Sequence, residues 1–398
     1  MTFYKYRSLI FLLLFAAIGC SQTDDDVEKS VLLELGDVTG QVSLLGNPLS
    51  ARYADNTPRV YARNIWDMHA YDNKIYFGGG NSSNSAPAAN AGLADLWAYD
   101  IVSQSFIKEY TVDDEQIHRI REFDNQLYIP GHDARESWDY GNFYRLEGNK
   151  WVKYRTIPNA IHVYDIYKWD NKLFAVTGPQ SPSKNIQVSD DDGLTWKNAD
   201  YTNDKNLLLA NSSRVYSLFP FSGQLRASYT YPTIYTGNGN IFHQIIDSAE
   251  ATALFDGEKG RRIERPVVFG EYTVYIVGVD DNDHQYLPLA LRYAKNTQNV
   301  MRYKLSENTL PRDILVKGNY LIVLLSKQKG DGTYYNTVIL TSDLSMDTVQ
   351  WKELFGFTTE TFARSFEYLN GTFYFGLGCE TDDLSQATGS ILKFDYKL

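Results

Sequence analysis

Seven residues with chemically useful side chains recur at one register of this chain. Trp66, His118, Tyr164, Tyr216, Glu264, Arg312 and Arg364 each stand six positions before a tight turn. All are aromatic, titratable or cationic, a mixture that a purely structural layer does not need. Neighbouring segments add His132, Asp133, Arg135 and Trp138 after the second turn, His162 just ahead of Tyr164, and Arg226 and Tyr229 after the fourth turn. Histidine, tyrosine and arginine together suit elimination from an acidic sugar. A cation neutralises the sugar carboxylate and acidifies the C5 proton; His or Tyr removes that proton, and Tyr or His protonates the oxygen leaving C4. Hydrolysis would instead want two carboxyl groups facing each other across a cleft, and Glu264 has no evident partner, although Asp133 and Asp165 keep that route open. His118, His132 and His162, with Asp133 or Asp165, could also surround a zinc ion. No His-x-His or His-Glu-x-x-His spacing supports that, so no cofactor is expected.

The elements that must position these residues are written in the turns. Asp72-Asn73, Asp124-Asn125, Asp170-Asn171, Ser222-Gly223, Gly270-Glu271, Gly318-Asn319 and Asn370-Gly371 follow one another at intervals of 52, 46, 52, 48, 48 and 52 residues. Each is flanked by short apolar runs. A repeat near 50 residues built on hairpin turns predicts four-stranded propeller blades. The expected fold is all-β: a seven-bladed β-propeller of four-stranded antiparallel blades over residues 31–398. The fourth repeat is the least regular, with strands expected at 214–221, 225–229, 241–246 and 251–255. The seventh shows only three strands, so its fourth is expected from residues 31–52, closing the ring and hiding sheet edges. The layer four positions before each turn (Met68, Ile120, Ile166, Leu218, Pro266, Ile314, Phe366) is apolar, as a buried channel should be. Short first turns and long loops between second and third strands point to one functional face.

Composition narrows the partners. Aromatic residues make up 14% of the chain, including 30 Tyr, and this stocks both strands and flat sugar-stacking surfaces. A net charge of −11 argues against nucleic acid, which needs a basic footprint. An acidic glycan stays possible because arginines can cluster locally within an acidic total. A monomer is expected. Only two cysteines occur, Cys20 and Cys379, so there is no disulfide framework, and Cys379 is expected to be an inert, partly buried thiol.

The amino terminus reads as an address. Lys5 and Arg7 precede an apolar run too short to span a membrane, which ends in Ala17-Ile18-Gly19-Cys20. The run resembles a bacterial lipobox, which makes residues 1–20 a signal peptide and Cys20 the lipidated residue. The acidic linker at 21–30 resembles the export tag of Bacteroidetes surface lipoproteins. The expected location is the bacterial cell envelope, lipid-anchored in the outer membrane, with the lipid as the sole membrane contact.

Ser189-Asp190-Asp191-Asp192-Gly193-Leu194-Thr195-Trp196 fits the Asp-box pattern S-x-D-x-G-x-T-W found in sialidases. Its chemistry is local: Ser and Asp cap a hairpin while Trp packs beneath it. With no Arg-Ile-Pro segment, sialidase activity is excluded.

In arrangement the chain is similar to the seven-bladed propeller lyases that cleave ulvan, the sulfated rhamnose–uronate polysaccharide of green algae. The resemblance covers the propeller and is strongest over the second to fourth repeats. It implies catalytic roles for His118, His132, Tyr164 and Tyr216. Substrate contacts are expected from Trp66, Arg135, Trp138, His162, Arg226, Tyr229, Arg312 and Arg364, with the carboxylate-binding cation open among Arg135, Arg226 and Arg364. The expected function is a carbon–oxygen lyase that either cleaves a uronate-containing chain or dehydrates its terminal uronate. The alternative is a non-catalytic surface glycan-binding lipoprotein.

Overall fold

The structure, a computed structural model, describes residues 32–53, 59–83, 88, 90–179, 185–201, 214–229, 233–238, 241–246, 248–255, 257, 261–280, 286–346 and 348–398. The expected signal peptide, Cys20 and the acidic linker lie outside the described residues. The chain divides into two units, Met1–Leu33 and Glu34–Leu398. Of the first, only residues 32 and 33 are described. Among the described residues no helix is long and apolar enough to cross a membrane.

The second unit is all-β and has propeller architecture, its blades four-stranded and antiparallel. The first repeat shows the plan: strands Asp67–Tyr71, Lys74–Gly78, Asp95–Asp100 and Ser105–Thr111 pair in chain order. The turns act as their residues predict. Asp72 and Asn73 both have positive φ, as do Asp124 with Asn125, Asp170 with Asn171, Ser222 with Gly223, and Asn370 with Gly371. That is type I′ geometry, whose twist matches the strands it joins. Apolar side chains of consecutive sheets then fill the gaps between them: Tyr76, Leu96 and Val112 of the first repeat pack on Ile117, Ile120 and Leu127 of the second.

The regular blade occurs six times among the described residues, not the seven times expected. The exception is the fourth repeat, whose sheet has five strands, with Asp200–Tyr201 lying parallel to Ile241–Ile246. The stretch expected as its fourth strand folds instead as a helix, Ala249–Phe255. Ser248 caps it, its Oγ accepting from the Ala251 amide at 3.0 Å, and Ala251, Leu254 and Phe255 bury one face. The buried residues at 251, 254 and 255 follow helical spacing, which a strand does not give. In the last sheet Ser43–Gly46, within the 31–52 segment, pairs antiparallel with Ile391–Asp395.

The Asp-box is a staple. Asp191 accepts from the Thr195 amide at 2.9 Å and from its hydroxyl at 2.6 Å, and Ser189 Oγ accepts from the Gly193 amide at 2.8 Å. The Trp196 indole donates to Thr156 at 3.0 Å, fastening the third repeat to the second. Cys379 is a free, fully buried thiol.

Candidate active site

Strict alternation along a strand would put residues six and four positions before each turn on one face, and the fifth on the other. The strands break that rule where chemistry is expected. In the third repeat pairing jumps from Val163↔Thr177 to Asp165↔Val176, leaving Tyr164 as the extra residue. The same shift falls on Arg312, between Pro311↔Leu325 and Asp313↔Leu324, and on Arg364, between Ala363↔Leu377 and Ser365↔Gly376. In the fifth repeat it falls between Glu264 and Val267, with Arg265 at a left-handed φ of 52°. A bulge adds one residue and re-aims its neighbours, so adjacent side chains can serve the same cavity.

Tyr164 stands in a continuous arc of rings drawn from the first four repeats. Centroid separations run 5.8 Å from Trp66 to His118, 5.3 Å to His132, 5.1 Å to Tyr164, 4.9 Å to Tyr216 and 6.1 Å to Tyr229. His162 stacks on Tyr164 at 5.2 Å. A guanidinium stands at either end of the five rings from Trp66 to Tyr216: Arg364 lies 4.5 Å from the Trp66 ring centroid and Arg262 lies 4.8 Å from that of Tyr216.

Hydrogen bonds define the state of His118. The Ser82 amide donates to Gln116 Oε1 at 3.2 Å, and a backbone N–H can only donate, so this contact fixes the orientation of the glutamine amide. Gln116 Nε2 therefore donates to His118 Nδ1 at 3.2 Å, and the imidazole proton sits on Nε2. That nitrogen faces Glu264 Oε2 at 3.7 Å. Burial pulls the His118 pKa down, against the pull of Glu264. His132 is different. Burial, then the charges of His118 and His162, hold its pKa well below the usual histidine value, and its Nδ1 has no hydrogen-bond partner among the described residues. These effects favour the neutral form of His132. Burial pushes the Tyr164 hydroxyl up, which keeps its proton in place. Burial, reinforced by Arg214, lowers His162 to about 3. Burial and the nearby Glu115 and Asp114 raise Asp133 to about 7; its carboxylate lies 3.5 Å from His162 Nδ1.

Beneath the arc lies a cavity of about 590 Å³, lined by the first strands of the repeats. In three repeats a buried carboxylate one position further along ties one repeat to the next. Asp67 accepts from the Ile120 amide at 2.7 Å, Asp165 from Leu218 at 2.9 Å, and Asp313 from Phe366 at 3.2 Å. Arginines complete the floor. Arg119 donates to Asp165 at 2.7 Å and to Glu264 at 3.3 Å, while Arg265 donates to Asp67 at 2.6 Å and to the Trp66 carbonyl. Arg262 lies 3.0 Å from the other Glu264 oxygen. Burial works against charge on Glu264, but Arg262, His118 and Arg119 outweigh it and hold this carboxyl far below the usual glutamate range. Buried charges persist only when partnered this fully.

The arc thus gathers His118, His132, Tyr164, Tyr216, Trp66, His162 and Tyr229. Arg364 and Arg312 join its margin on a shared Glu380, at 3.3 and 2.9 Å. Three expected contacts lie elsewhere. Arg226 is committed to Glu250 at 3.1 Å and Gln224 at 2.8 Å, because its strand partners turn it toward the capped helix. The Arg135 side chain is 48% exposed and donates to Glu115. Trp138 is 46% exposed and stands outside the chain of ring contacts. Among the described residues no cluster of three His, Cys, Asp or Glu has metal-binding geometry, and Asp165, a suggested zinc ligand, is engaged by Arg119 and Arg121. Sequence reasoning missed Arg262, Gln116 and the carboxylate floor. One signal was present: Asn64, Gln116, His162, Arg214, Arg262 and Phe362 recur eight positions before their turns, two residues from the arc layer. Four of them touch it directly or support it: Asn64 accepts from Arg364 at 2.7 Å, Gln116 holds His118, His162 stacks on Tyr164, and Arg262 covers Tyr216.

Comparison with known proteins yields fold and nothing narrower. No known family matches the chain, and no curated protein matches it. Among solved structures it is similar to a chain of the mitotic checkpoint complex, at 8% identity and a TM-score of 0.50, over 98% of this chain and 100% of that one. It is also similar to an ancestral GH74 enzyme, at 12% identity and a TM-score of 0.50, over 86% of this chain and 47% of that one. A putative 6-phosphogluconolactonase from Bacteroides fragilis NCTC 9343 aligns at 10% identity and a TM-score of 0.42, over 82% and 96%. At these identities the likeness concerns the propeller alone.

Proposed function

We propose that the protein is a carbon–oxygen lyase acting by β-elimination on uronate-containing glycans of the ulvan type, cleaving the chain or dehydrating a terminal uronate. The observation that carries this reading is the pairing of a neutral histidine with a protonated tyrosine, His132 and Tyr164, at 5.1 Å. His132 takes the C5 proton, the C4–O bond breaks as the C4=C5 bond forms, and Tyr164 delivers its proton to the departing oxygen. Arg262, beside Tyr216, is the cation for the substrate carboxylate. His118, its Nδ1 accepting from Gln116 and its Nε2–H facing Glu264, is a positioning residue packed against His132. A hydrolytic route is disfavoured because Glu264 is already shared by Arg119, Arg262 and His118.

The reading also takes the sheets as one closed ring, supported by the pairing of Ser43–Gly46 with Ile391–Asp395 and by Ser365 Oγ donating to the Ile65 carbonyl at 2.8 Å. It places the protein at the cell envelope through a lipid on Cys20, supported by the sequence run before that residue. Loss of palmitate labelling in Cys20→Ala would bear this out.

The direct test is mass spectrometry of ulvan polymer and oligosaccharides after incubation with the protein. Shorter chains with an unsaturated end identify chain cleavage; constant length with loss of one water identifies dehydration. No mass change with a folded protein, together with retention on a glycan gel, would establish the glycan-binding alternative. If elimination is the reaction, His132→Ala and Tyr164→Phe each lower turnover by about 10²–10⁴-fold.

A further inference from the structure

A second cavity opens beside the arc, in the sixth and seventh repeats. Its volume is about 680 Å³, within the range of small-molecule sites. Arg312, Ser326, Gln328, Tyr334, Glu380 and Asp383 contribute to its wall. Arg312 belongs to the same layer as His118 and Tyr164, so the cavity lies on the candidate face.

The wall combines the apolar Leu287 and Leu310 with polar groups bonded to one another. Arg312 donates to Ser326 Oγ at 2.7 Å and to Glu380 at 2.9 Å, and its guanidinium lies 3.5 Å from the centroid of the Phe362 ring. Asp383 accepts from the Tyr334 hydroxyl at 2.6 Å and from Gln328 Nε2 at 3.2 Å. Donors and acceptors thus alternate around a fixed frame, which suits a ligand whose own groups both donate and accept. Asp382 adds another carboxylate, so three negative groups face one guanidinium. An anionic sugar is repelled there, whereas hydroxyl groups are accommodated.

The cavity is connected to the arc. Glu380 holds Arg364 as well as Arg312; Arg364 covers Trp66, and Trp66 neighbours His118. We propose that this cavity is a second carbohydrate subsite, one that takes an uncharged, hydroxyl-rich sugar residue while the arc takes the uronate of the same oligosaccharide. The assignment of the uronate to the arc rests on the reading given above; the cavity's preference for an uncharged sugar does not.

Methyl glucoside and methyl glucuronoside differ at C6 alone, hydroxymethyl against carboxylate, and serve as probes. Saturation-transfer NMR titrations of the full chain are expected to show both binding. Tyr334→Phe and Asp383→Asn should each weaken methyl glucoside about tenfold, the loss of one well-placed polar contact, and leave methyl glucuronoside unchanged. His132→Ala should do the reverse. Methyl glucoside binding that is absent in the wild type, or unaltered in both folded cavity variants, overturns the proposal. Methyl glucoside binding that depends on Tyr334 and Asp383, with no methyl glucuronoside binding at all, supports the cavity as a neutral-sugar site and removes the uronate reading of the arc.

Discussion

Nε2 of His118 lies 3.7 Å from Oε2 of Glu264, although the two residues come from the second and fifth repeats. One carboxylate thereby serves His118, Arg119 at 3.3 Å and Arg262 at 3.0 Å. Glu264→Gln should lower stability by roughly 3 kcal/mol, since it leaves buried guanidinium groups short of a partner. Because the Glu264 pKa is depressed when folded, its contribution is present above the ordinary value of 4.5 and fades as pH falls below it. Denaturant titrations at pH 7 and pH 3.5 should therefore separate wild type and variant more widely at pH 7. Equal gaps at both pH values would count against this role.

The acid limb of the pH–rate profile should report His132. Its pKa lies well below 6.5, so turnover should persist to a pH at which an ordinary histidine would already be protonated. His162, lowered to about 3, is itself neutral over this range, so His162→Gln should leave the limb in place. A limb at or above pH 6.5 in the wild type would assign the base elsewhere.

Asp133 should make the fold less stable as pH rises. Its folded pKa is raised to about 7, by burial and by Glu115 and Asp114, from an ordinary 3.8. Between these values the folded state binds more protons than the unfolded state, so the stabilisation is complete below about pH 4 and is lost as pH climbs through about 7. Asp133→Asn keeps the side-chain shape at an unusual φ of 117° and removes the titration. Melting temperatures from pH 5 to pH 8 should decline less in the variant; an identical slope would exclude Asp133 as the source.

Arg262 should be read out in substrate binding. Its guanidinium sits over Tyr216 and against Glu264, at the end of the arc where the substrate carboxylate is proposed. Arg262→Lys retains charge but loses the planar fork, and should raise KM for a uronate substrate about tenfold while changing kcat less. Arg226→Lys, near Glu250, should leave both constants alone. An effect of position 226 equal to that of position 262 would argue for a general electrostatic influence and against a specific contact.

Much of this was legible in the chain. Local turn chemistry suffices for the hairpins: the Asp-Asn pairs at 72–73, 124–125 and 170–171 and the Asn-Gly pair at 370–371 adopt positive φ, so turn spacing announces repeated antiparallel sheets. The Asp-box is likewise local, its Ser, Asp and Thr bonding within one loop. Registering the sequence on those turns also picked out His118, Tyr164 and Tyr216, because equivalent positions in equivalent strands share a layer. The fourth repeat departs from the expected strand because 251–255 carries apolar residues that suit strand or helix, and the cap on Ser248 that decides between them is a matter of hydrogen bonding.

What the tertiary structure alone decided is which neighbours each layer meets. Period-two alternation assigns Asp67, Asp165 and Asp313 to the face away from the arc, whereas they accept amide protons from the first strands of adjoining repeats. Bulges do not announce themselves in composition, since the extra residue is an ordinary Tyr or Arg and the register shift depends on both strands. Nor could sequence choose among the arginines. Arg226, Arg262 and Arg364 are equally cationic in the chain, and their partners, Glu250, Glu264 and Glu380, stand from 2 to 24 residues away along it. Spacing along one strand determined the layer; contacts between strands apart in sequence determined the surroundings of His132 and the cation at the Tyr216 end of the arc, because burial and Coulomb interactions depend on distance in space.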